Sequence, residues 1–281
     1  MENNSIYNKR VRVSDNILKF LIYFCAALSV SILLLIIGLV LVRGLPNLSW
    51  QLVSTVSSAI SGTFGIFGNI VNTLYIIVIT LLIVTPIGVG GAIYLTEYAK
   101  GGKLVRAIEF TIETLSGIPS IIFGLFGMVF FGNTLGLKFS ILTGALTLSL
   151  MILPIITSST QVALKGVPES YRSGAIGMGA TKWYMIRTVI LPSALPGIVT
   201  GIVLGVGRIV GESAALLFTA GSSYYIARNI FQSGGTLTIQ LYLSMSNARY
   251  DEAFAIAFVL IVLVFVLNRI THIIANKMNK G

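Results

Sequence analysis

Six apolar stretches, at 17–42, 71–95, 110–131, 141–163, 189–210 and 253–270, run through this 281-residue chain and set what it can fold into. Each is close to the roughly 20 residues that a helix needs to cross the hydrocarbon of a bilayer. Hydrocarbon offers no partner to a backbone N–H or C=O, so a crossing segment must satisfy those groups within itself, which a helix does. The prediction is an all-α polytopic membrane protein with six transmembrane helices. Composition agrees: 55% of the residues are hydrophobic and 10% charged, where an ordinary soluble domain carries about 25% charged residues. The third stretch is the irregular one. Glu113 and the run Ser116, Gly117, Ile118, Pro119 interrupt it, leaving an unbroken apolar core only from 118 to 131.

The first stretch follows a basic N-terminus, but its apolar run exceeds the 7–15 residues of a secretory signal and no small-residue cleavage site follows, so it reads as a retained anchor. A single cysteine, Cys25, excludes an intrachain disulfide. His272, the one histidine, stands without a nearby partner and reads as an interfacial residue and not a metal ligand. Neither an internal repeat nor a Pro-rich or Ser-rich linker divides the chain. Its organisation is therefore an N-terminal segment at 1–16, one transmembrane domain at 17–273 that includes a polar segment at 164–192, and a tail at 274–281.

With six crossings both termini share one side. That side collects Lys9, Arg10, Arg12, Lys19, Lys100, Lys103, Arg106, Lys165, Arg172, Lys182, Arg187, Arg269, Lys277 and Lys280, against Arg43, Lys138, Arg228 and Arg249 opposite. The positive-inside rule places the termini and the 164–192 segment in the cytoplasm. The net charge of +10 thus reports topology. It does not point to nucleic acid, because the basic residues are spread over four short segments and form no stripe interleaved with exposed aromatics.

Segment 164–192 is polar and punctuated by glycine. Gly166 can end the preceding helix, and Pro168 suits the first turn of a new one, where its missing N–H would be unsatisfied anyway. Val167, Tyr171, Ala175 and Met178 recur at helical spacing to give one apolar face, with Glu169 near the positive end of the helix dipole. Gly177 and Gly179 permit a bend, and Thr181 can cap a second helix running through Trp183 and Ile186. The expected shape is a helix, an elbow and a helix. A helix lying on lipid headgroups would show the same periodicity.

This segment resembles the cytoplasmic motif of ABC importer permeases: Glu-Ala-Ala, three residues, Gly, nine residues, then Ile-x-Leu-Pro. Ser173, Gly174 and Ala175, then Gly179, then Val189, Ile190, Leu191 and Pro192 stand at those positions. The resemblance implies that the elbow inserts into a cleft of an ATPase subunit, with Glu169, Arg172, Ser173, Gly174, Ala175, Gly179 and Pro192 as coupling residues. Ser173 stands where the family has an acid; Glu169, one turn earlier, is the candidate substitute. The chain has no phosphate-binding loop of its own: Gly101, Gly102, Lys103 is followed by Leu104 and preceded by Glu97 where the first glycine belongs. It is expected to bind no cofactor or metal and to be no enzyme, ATP being hydrolysed by the partner.

Arg208 near the end of the fifth stretch and Glu212 just beyond it stand four residues apart, on one face if the helix continues through Gly211. An arginine inside a membrane costs on the order of 2.5–3.5 kcal/mol even on the lenient insertion scale, and such residues face a bundle interior or a watery path. A guanidinium fork matches a tetrahedral oxyanion, and a glutamate can hold its charge when no substrate is bound. An arginine snorkelling to the interface with a stabilising glutamate is the plainer account.

The run from Gly207 to Ala214, with Leu216-Leu217-Phe218-Thr219-Ala220 after it, resembles the A-type membrane subunit of bacterial phosphate-specific ABC importers. The run Leu115-Ser116-Gly117-Ile118-Pro119-Ser120-Ile121-Ile122-Phe123-Gly124-Leu125 resembles that family's third span. The resemblance implies a type I importer permease fold with a cytoplasmic coupling-helix elbow and inorganic phosphate as substrate. It further implies a homologous permease as heterodimer partner, two ATPase subunits and an external phosphate-binding protein. Arg208 and Arg172 are carried over as transport residues, with Glu212 as the partner of Arg208; Arg172, in a cytoplasmic helix, suits coupling or exit-side electrostatics. The C-type partner subunit, a permease for molybdate or sulfate, and an ATP-independent channel or proton-coupled transporter remain alternatives.

Ser116, Gly117, Pro119 and Ser120 read equally as lining of a pathway or as a packing kink, because broken backbone at membrane depth must face a cavity or protein. Gly88, Gly90 and Gly91 read as close helix contacts, and Trp50, Tyr224, Tyr225 and Tyr242 as interfacial anchors. The external stretch at 211–251 is long for a bare connection. It either folds back into the membrane or forms a platform for a solute-binding protein.

Overall fold

The computed structural model describes residues 13–58, 63–99 and 101–278. Lys9, Arg10, Arg12, Lys100 and Lys280, and with them most of the 1–16 segment and the end of the tail, lie outside the described residues, as does the side chain of His272. Helix α1 (Val13–Gly44) is followed by a short α2 (Trp50–Ser54), which Ser49 caps by accepting the Leu52 N–H at 3.1 Å. Strands β1 (Val56–Ser58) and β2 (Thr63–Ile66) pair antiparallel, Val56 opposite Ile66 and Ser58 opposite Thr63. Then come α3 (Phe67–Ile93), continued by a π-helical turn at Tyr94–Tyr98, α4 (Lys103–Ser116), α5 (Ser120–Gly127), continued by a π-helical stretch at Met128–Thr134, and α6 (Ile141–Lys165). The chain ends with α7 (Glu169–Gly177), α8 (Lys182–Met185), which runs through a π-helical turn into α9 (Leu191–Gly211), then α10 (Ala214–Thr219), α11 (Leu237–Ser246) and α12 (Tyr250–Met278).

α6 is the central helix because its sequence lets neighbours come close. A Cβ on Gly197, Gly201 or Gly205 of α9 would lie 2.6, 2.6 or 3.2 Å from Ala163, Ser159 and Ile152 of α6, so the two helices meet along glycines four residues apart. Small residues at this spacing replace the hydrophobic driving force that lipid does not supply. On the opposite flank a Cβ on Gly88 of α3 would stand 2.9 Å from the Ile156 Cγ2, and the Thr80 hydroxyl donates to the Ala145 carbonyl at 3.4 Å. The hydroxyls that α6 buries mostly turn onto their own helix: Thr147, Ser149 and Thr157 each donate to the carbonyl four residues back at 2.8 Å. That satisfies them without a cross-helix partner. Ile76, Leu148, Ile152, Ile156, Ile209 and Ile256 fill the core between these helices.

These contacts also fix direction. Thr80 meets Ala145 and Gly88 meets Ile156, so α3 and α6 run parallel, while α9 runs antiparallel to α6. Between α3 and α6 the chain must therefore cross back, and the segment that does so is not one continuous helix. The 110–131 stretch is divided between α4 and α5, whose axes differ by 105°. Gly117 ends α4, and Pro119, with no N–H to give and φ −58°, ψ 140°, cannot continue it. Among the described residues five helices are long and apolar enough to cross a membrane alone, or six with the bent pair counted as one broken span. None of the α4 side chains is buried, which fits a helix lying along the end of the bundle.

α1 is exposed along its length and leans on α12 where Gly44 lets Phe254 approach; a Cβ there would be 2.5 Å from the Phe254 carbonyl oxygen. Of the three glycines expected at close helix contacts only Gly88 makes one. A Cβ on Gly90 or Gly91 would meet no atom within 4 Å, because those positions face away from α6. Gly201→Leu is accordingly expected to destabilise the detergent-solubilised protein by about 1–3 kcal/mol, the range for overpacking, lowering its thermal unfolding midpoint. Gly90→Leu should leave that midpoint in place.

Candidate functional site

The elbow at 164–192 forms much as its residues dictate. Pro168 stands one residue outside α7, as its N-cap and not in its first turn. α7 ends at Gly177, and Gly179 adopts φ +83°, the left-handed region that glycine enters without cost. The Thr181 hydroxyl caps α8 by accepting the Tyr184 N–H at 3.3 Å. The expected single apolar face is split. Val167 and Ala175 turn inward onto a second core cluster with Ala92, Leu164, Met185, Ile186 and Ile190, whereas Tyr171 and Met178 are exposed, with Ile176 and Trp183 beside them. Spacing put all four on one stripe, but the bundle covers only half of it.

Arg172 is fully engaged and faces inward. Its Nε and Nη2 donate to the Glu97 Oε1 at 3.3 and 2.9 Å, Nη2 also to the Leu164 carbonyl at 2.9 Å, and Nη1 to the Val167 carbonyl at 2.8 Å. Glu169, on the exposed side, stands 3.4 Å from Nη1. The hydrogen bond from Arg172 to Glu97 raises the guanidinium pKa above its already high ordinary value, against the smaller opposing effect of burial. Arg172 thus pins α7 to the ends of α3 and α6, with its donors engaged by Glu97, Glu169 and two carbonyls. The Ser173 hydroxyl donates to the Glu169 carbonyl at 3.1 Å, so at the family's acidic position the side chain turns back onto its own helix. Gly174 has no atom near its missing Cβ, and Pro192 sits in the first turn of α9.

Arg208 is the contrasting cation. α9 stops at Gly211, so Glu212 is not on the same helix but in extended backbone just beyond it. Its carboxylate nevertheless returns: Oε2 lies 3.8 Å from Arg208 Nη2, an ion pair too long for a hydrogen bond. The other oxygen, Oε1, accepts the Ala215 N–H at 3.1 Å at the start of α10, and the Thr238 hydroxyl donates to the Glu212 carbonyl at 2.8 Å. Glu212 is held firmly, 5% exposed, and Arg208 is loosely tethered, 51% exposed, with no hydrogen bond among the described residues. Level with Arg208, α9 packs on the middle of α6, as the contact between Gly205 and Ile152 records. A cation at that depth with unused donors calls for water, an anion or a partner chain beside it.

The 211–251 stretch folds back into the bundle. A Cβ on Gly124 of α5 would lie 2.8 Å from the Ala215 Cα, one on Gly127 2.9 Å from the Thr219 Cγ2, and one on Gly144 of α6 3.0 Å from the Ala220 Cβ. α10 is therefore wedged between α5 and α6, which explains the small and buried residues of its run. Asn69, Asn72 and Thr73 hold the rest. Asn69 and Asn72 donate to the Gly235 and Tyr225 carbonyls at 3.0 and 2.9 Å, Asn72 accepts the Ala227 N–H at 3.0 Å, and Thr73 accepts the Leu237 N–H at 3.0 Å. Sequence reasoning missed this trio and Glu97; the signal was a polar i, i+3, i+4 set at the start of an apolar helix and a lone carboxylate at its end. Ser116 donates to the Ile112 carbonyl of its own helix at 3.0 Å, and Ser120 opens α5; neither pairs with Arg208 or Glu212. Trp50, Tyr224, Tyr225 and Tyr242 are exposed.

Several known proteins are similar to this chain. The family described as "binding-protein-dependent transport system inner membrane component" matches residues 85–280. A probable ABC transporter permease protein of Bacillus subtilis, YqgI, is 35% identical over 274 residues, covering 92% of this chain and 93% of its own. The phosphate transport system permease protein PstA 1 of Mycobacterium tuberculosis H37Rv is 32% identical over 208 residues, 73% of this chain and 67% of its own. Among solved structures, a bacterial alginate ABC transporter in complex with its periplasmic protein superposes with a TM-score of 0.67 at 18% identity, over 96% of this chain and 99% of its own. The methionine transporter MetNI gives 0.59 at 22% identity, over 76% and 94%. These likenesses carry the fold, that of type I ABC importer permeases. The chain belongs to the family of binding-protein-dependent inner membrane components, the multi-pass permeases of ABC transporters, which carry no ATPase of their own.

Proposed function

We propose that this protein is the A-type permease subunit of an ATP-driven importer of inorganic phosphate in a bacterial cell membrane, its termini and elbow cytoplasmic. Arg208 carries the reading: it is a half-exposed guanidinium in the last turn of α9, tethered by a buried glutamate at 3.8 Å and free to offer its N–H fork. A tetrahedral oxyanion takes such a fork in two parallel charge-assisted hydrogen bonds. Glu212 holds the empty site, since its second oxygen is anchored on α10 and its charge balances the cation when no substrate is present. Relatives named as phosphate permeases at about a third identity, such as the one from Xylella fastidiosa at 33% over 197 residues, support phosphate over other anions.

An external binding protein would deliver phosphate, and a homologous permease would close the pathway around Arg208. Two ATPase subunits would grip the elbow through the exposed Tyr171, Ile176, Met178 and Trp183, with Glu169 supplying the negative charge that Ser173 lacks. Ser116 and Ser120, at the broken backbone, line the inner part of that pathway in this reading. Only a ligand that binds two states unequally can shift them, so ATP must act through a grip on the elbow that differs between inward and outward states.

In vesicles with the complete complex, Arg208→Ala should reduce phosphate uptake about 10- to 100-fold, the equivalent of about 1.5–3 kcal/mol for a hydrogen bond to a charged group. Arg208→Lys, keeping charge without the fork, should fall between; normal uptake by Arg208→Ala at normal expression rejects the assignment. Inhibition of uptake by excess sulfate or molybdate as effective as that by phosphate would transfer the reading to another oxyanion. Gly179→Val places a β-branched residue at φ +83°, a conformation costing roughly 1–2 kcal/mol for a residue with a Cβ. It should misalign α7 and α8 and lower the amount of ATPase co-purified, while ATP-independent flux by the isolated chain would mark a channel instead.

A further inference from the structure

The end of α3 touches both arms of the elbow. Its last turn, Tyr94–Tyr98, is π-helical, and the extra residue in such a turn rotates the residues after it by about 100° relative to an α-helix. Glu97 in that turn receives Arg172 of α7 at 2.9 Å, with side chains 5% and 13% exposed. The neighbouring Tyr98 ring carries the Lys182 Nζ of α8 at 5.0 Å from its centroid. Arg172 at the same time donates to the carbonyls of Leu164, at the end of α6, and Val167, in the connecting turn. One guanidinium therefore joins the ends of α3 and α6 to α7. Separating a buried pair of this kind leaves an uncompensated charge, which makes the joint stiff.

We propose that Glu97 is a positioning residue which, through Arg172, locks α3 to the elbow, so that α3, α6 and α7 shift as one body when the ATPase moves the elbow. Force then enters the membrane through α3 as well as through the continuous α8–α9 helix. α3 holds the external segment with Asn69, Asn72 and Thr73 at its other end. Movement at the elbow thereby reaches the side from which substrate arrives. The inference rests on membership of the permease family and not on the identity of the transported anion.

The test replaces the lone Cys25 with serine and attaches spin labels at Tyr94→Cys and Ser170→Cys, both exposed positions, in the complete complex with its ATPase. One body requires the same label separation without nucleotide and with ATP trapped, and loss of that constancy in Glu97→Gln. A separation that already changes in the unaltered joint, or one that stays constant in both Glu97→Gln and Arg172→Lys, overturns the proposal. The label arm uses no substrate, so its outcome is independent of the phosphate reading. In the same vesicles Glu97→Gln should retain ATP hydrolysis but lose about fivefold or more in phosphate carried per ATP, the lower end of typical coupling between sites. Combining it with Arg172→Lys should add little further loss; losses that multiply, or release of the ATPase from Glu97→Gln, would show that the pair does not act as a link.

Discussion

Close approach of α3 and α9 to α6 is the interaction on which the rest depends. In lipid no gain comes from merely bringing apolar surfaces together, so helices cohere by contact between backbones and by polar groups satisfied locally. α6 offers both: Ala163 and Ser159 receive the glycines of α9, Ile156 receives Gly88, and the Thr147, Ser149 and Thr157 hydroxyls bond to its own carbonyls. That packing sets α3 parallel and α9 antiparallel, and those directions govern everything functional. The elbow is placed at the end where α3, α6 and α9 converge, and Arg208 is placed beside the middle of α6.

Two arginines show how environment assigns different work to one side chain. Arg172 spends its donors on Glu97 and two carbonyls and is thereby a strut. Arg208 meets a single carboxylate at a distance beyond hydrogen bonding and makes no hydrogen bond among the described residues. Glu212 is what makes the difference tolerable. Its Oε1 accepts the Ala215 N–H at the start of α10, and its charge lowers the cost of holding a cation there.

The helical, membrane-spanning character of the chain was legible because length and polarity in hydrocarbon leave no other solution. The elbow was legible too, since Gly179 and Thr181 act locally, on their own backbone and on the next turn. What misled was anything decided by a neighbour. Tyr171 and Met178 shared a stripe with Val167 and Ala175, but only the latter two face other helices. Gly90 and Gly91 looked like Gly88, but face away from α6. Glu97 drew no functional reading from the sequence, because its partner is 75 positions away.

By itself, then, the sequence determined that this protein crosses the membrane as helices, where the third crossing must break, and where an elbow outside it must bend. Each results from forces acting over a few residues: unsatisfied backbone in hydrocarbon, a proline without an N–H, a glycine at positive φ. Only the tertiary structure decided which arginine is spent and which is open, that the chain after α9 returns between α5 and α6, and that α3 is tied to the elbow by Glu97. Those outcomes depend on side chains far apart in sequence meeting at a set distance, and spacing along the chain holds no record of that.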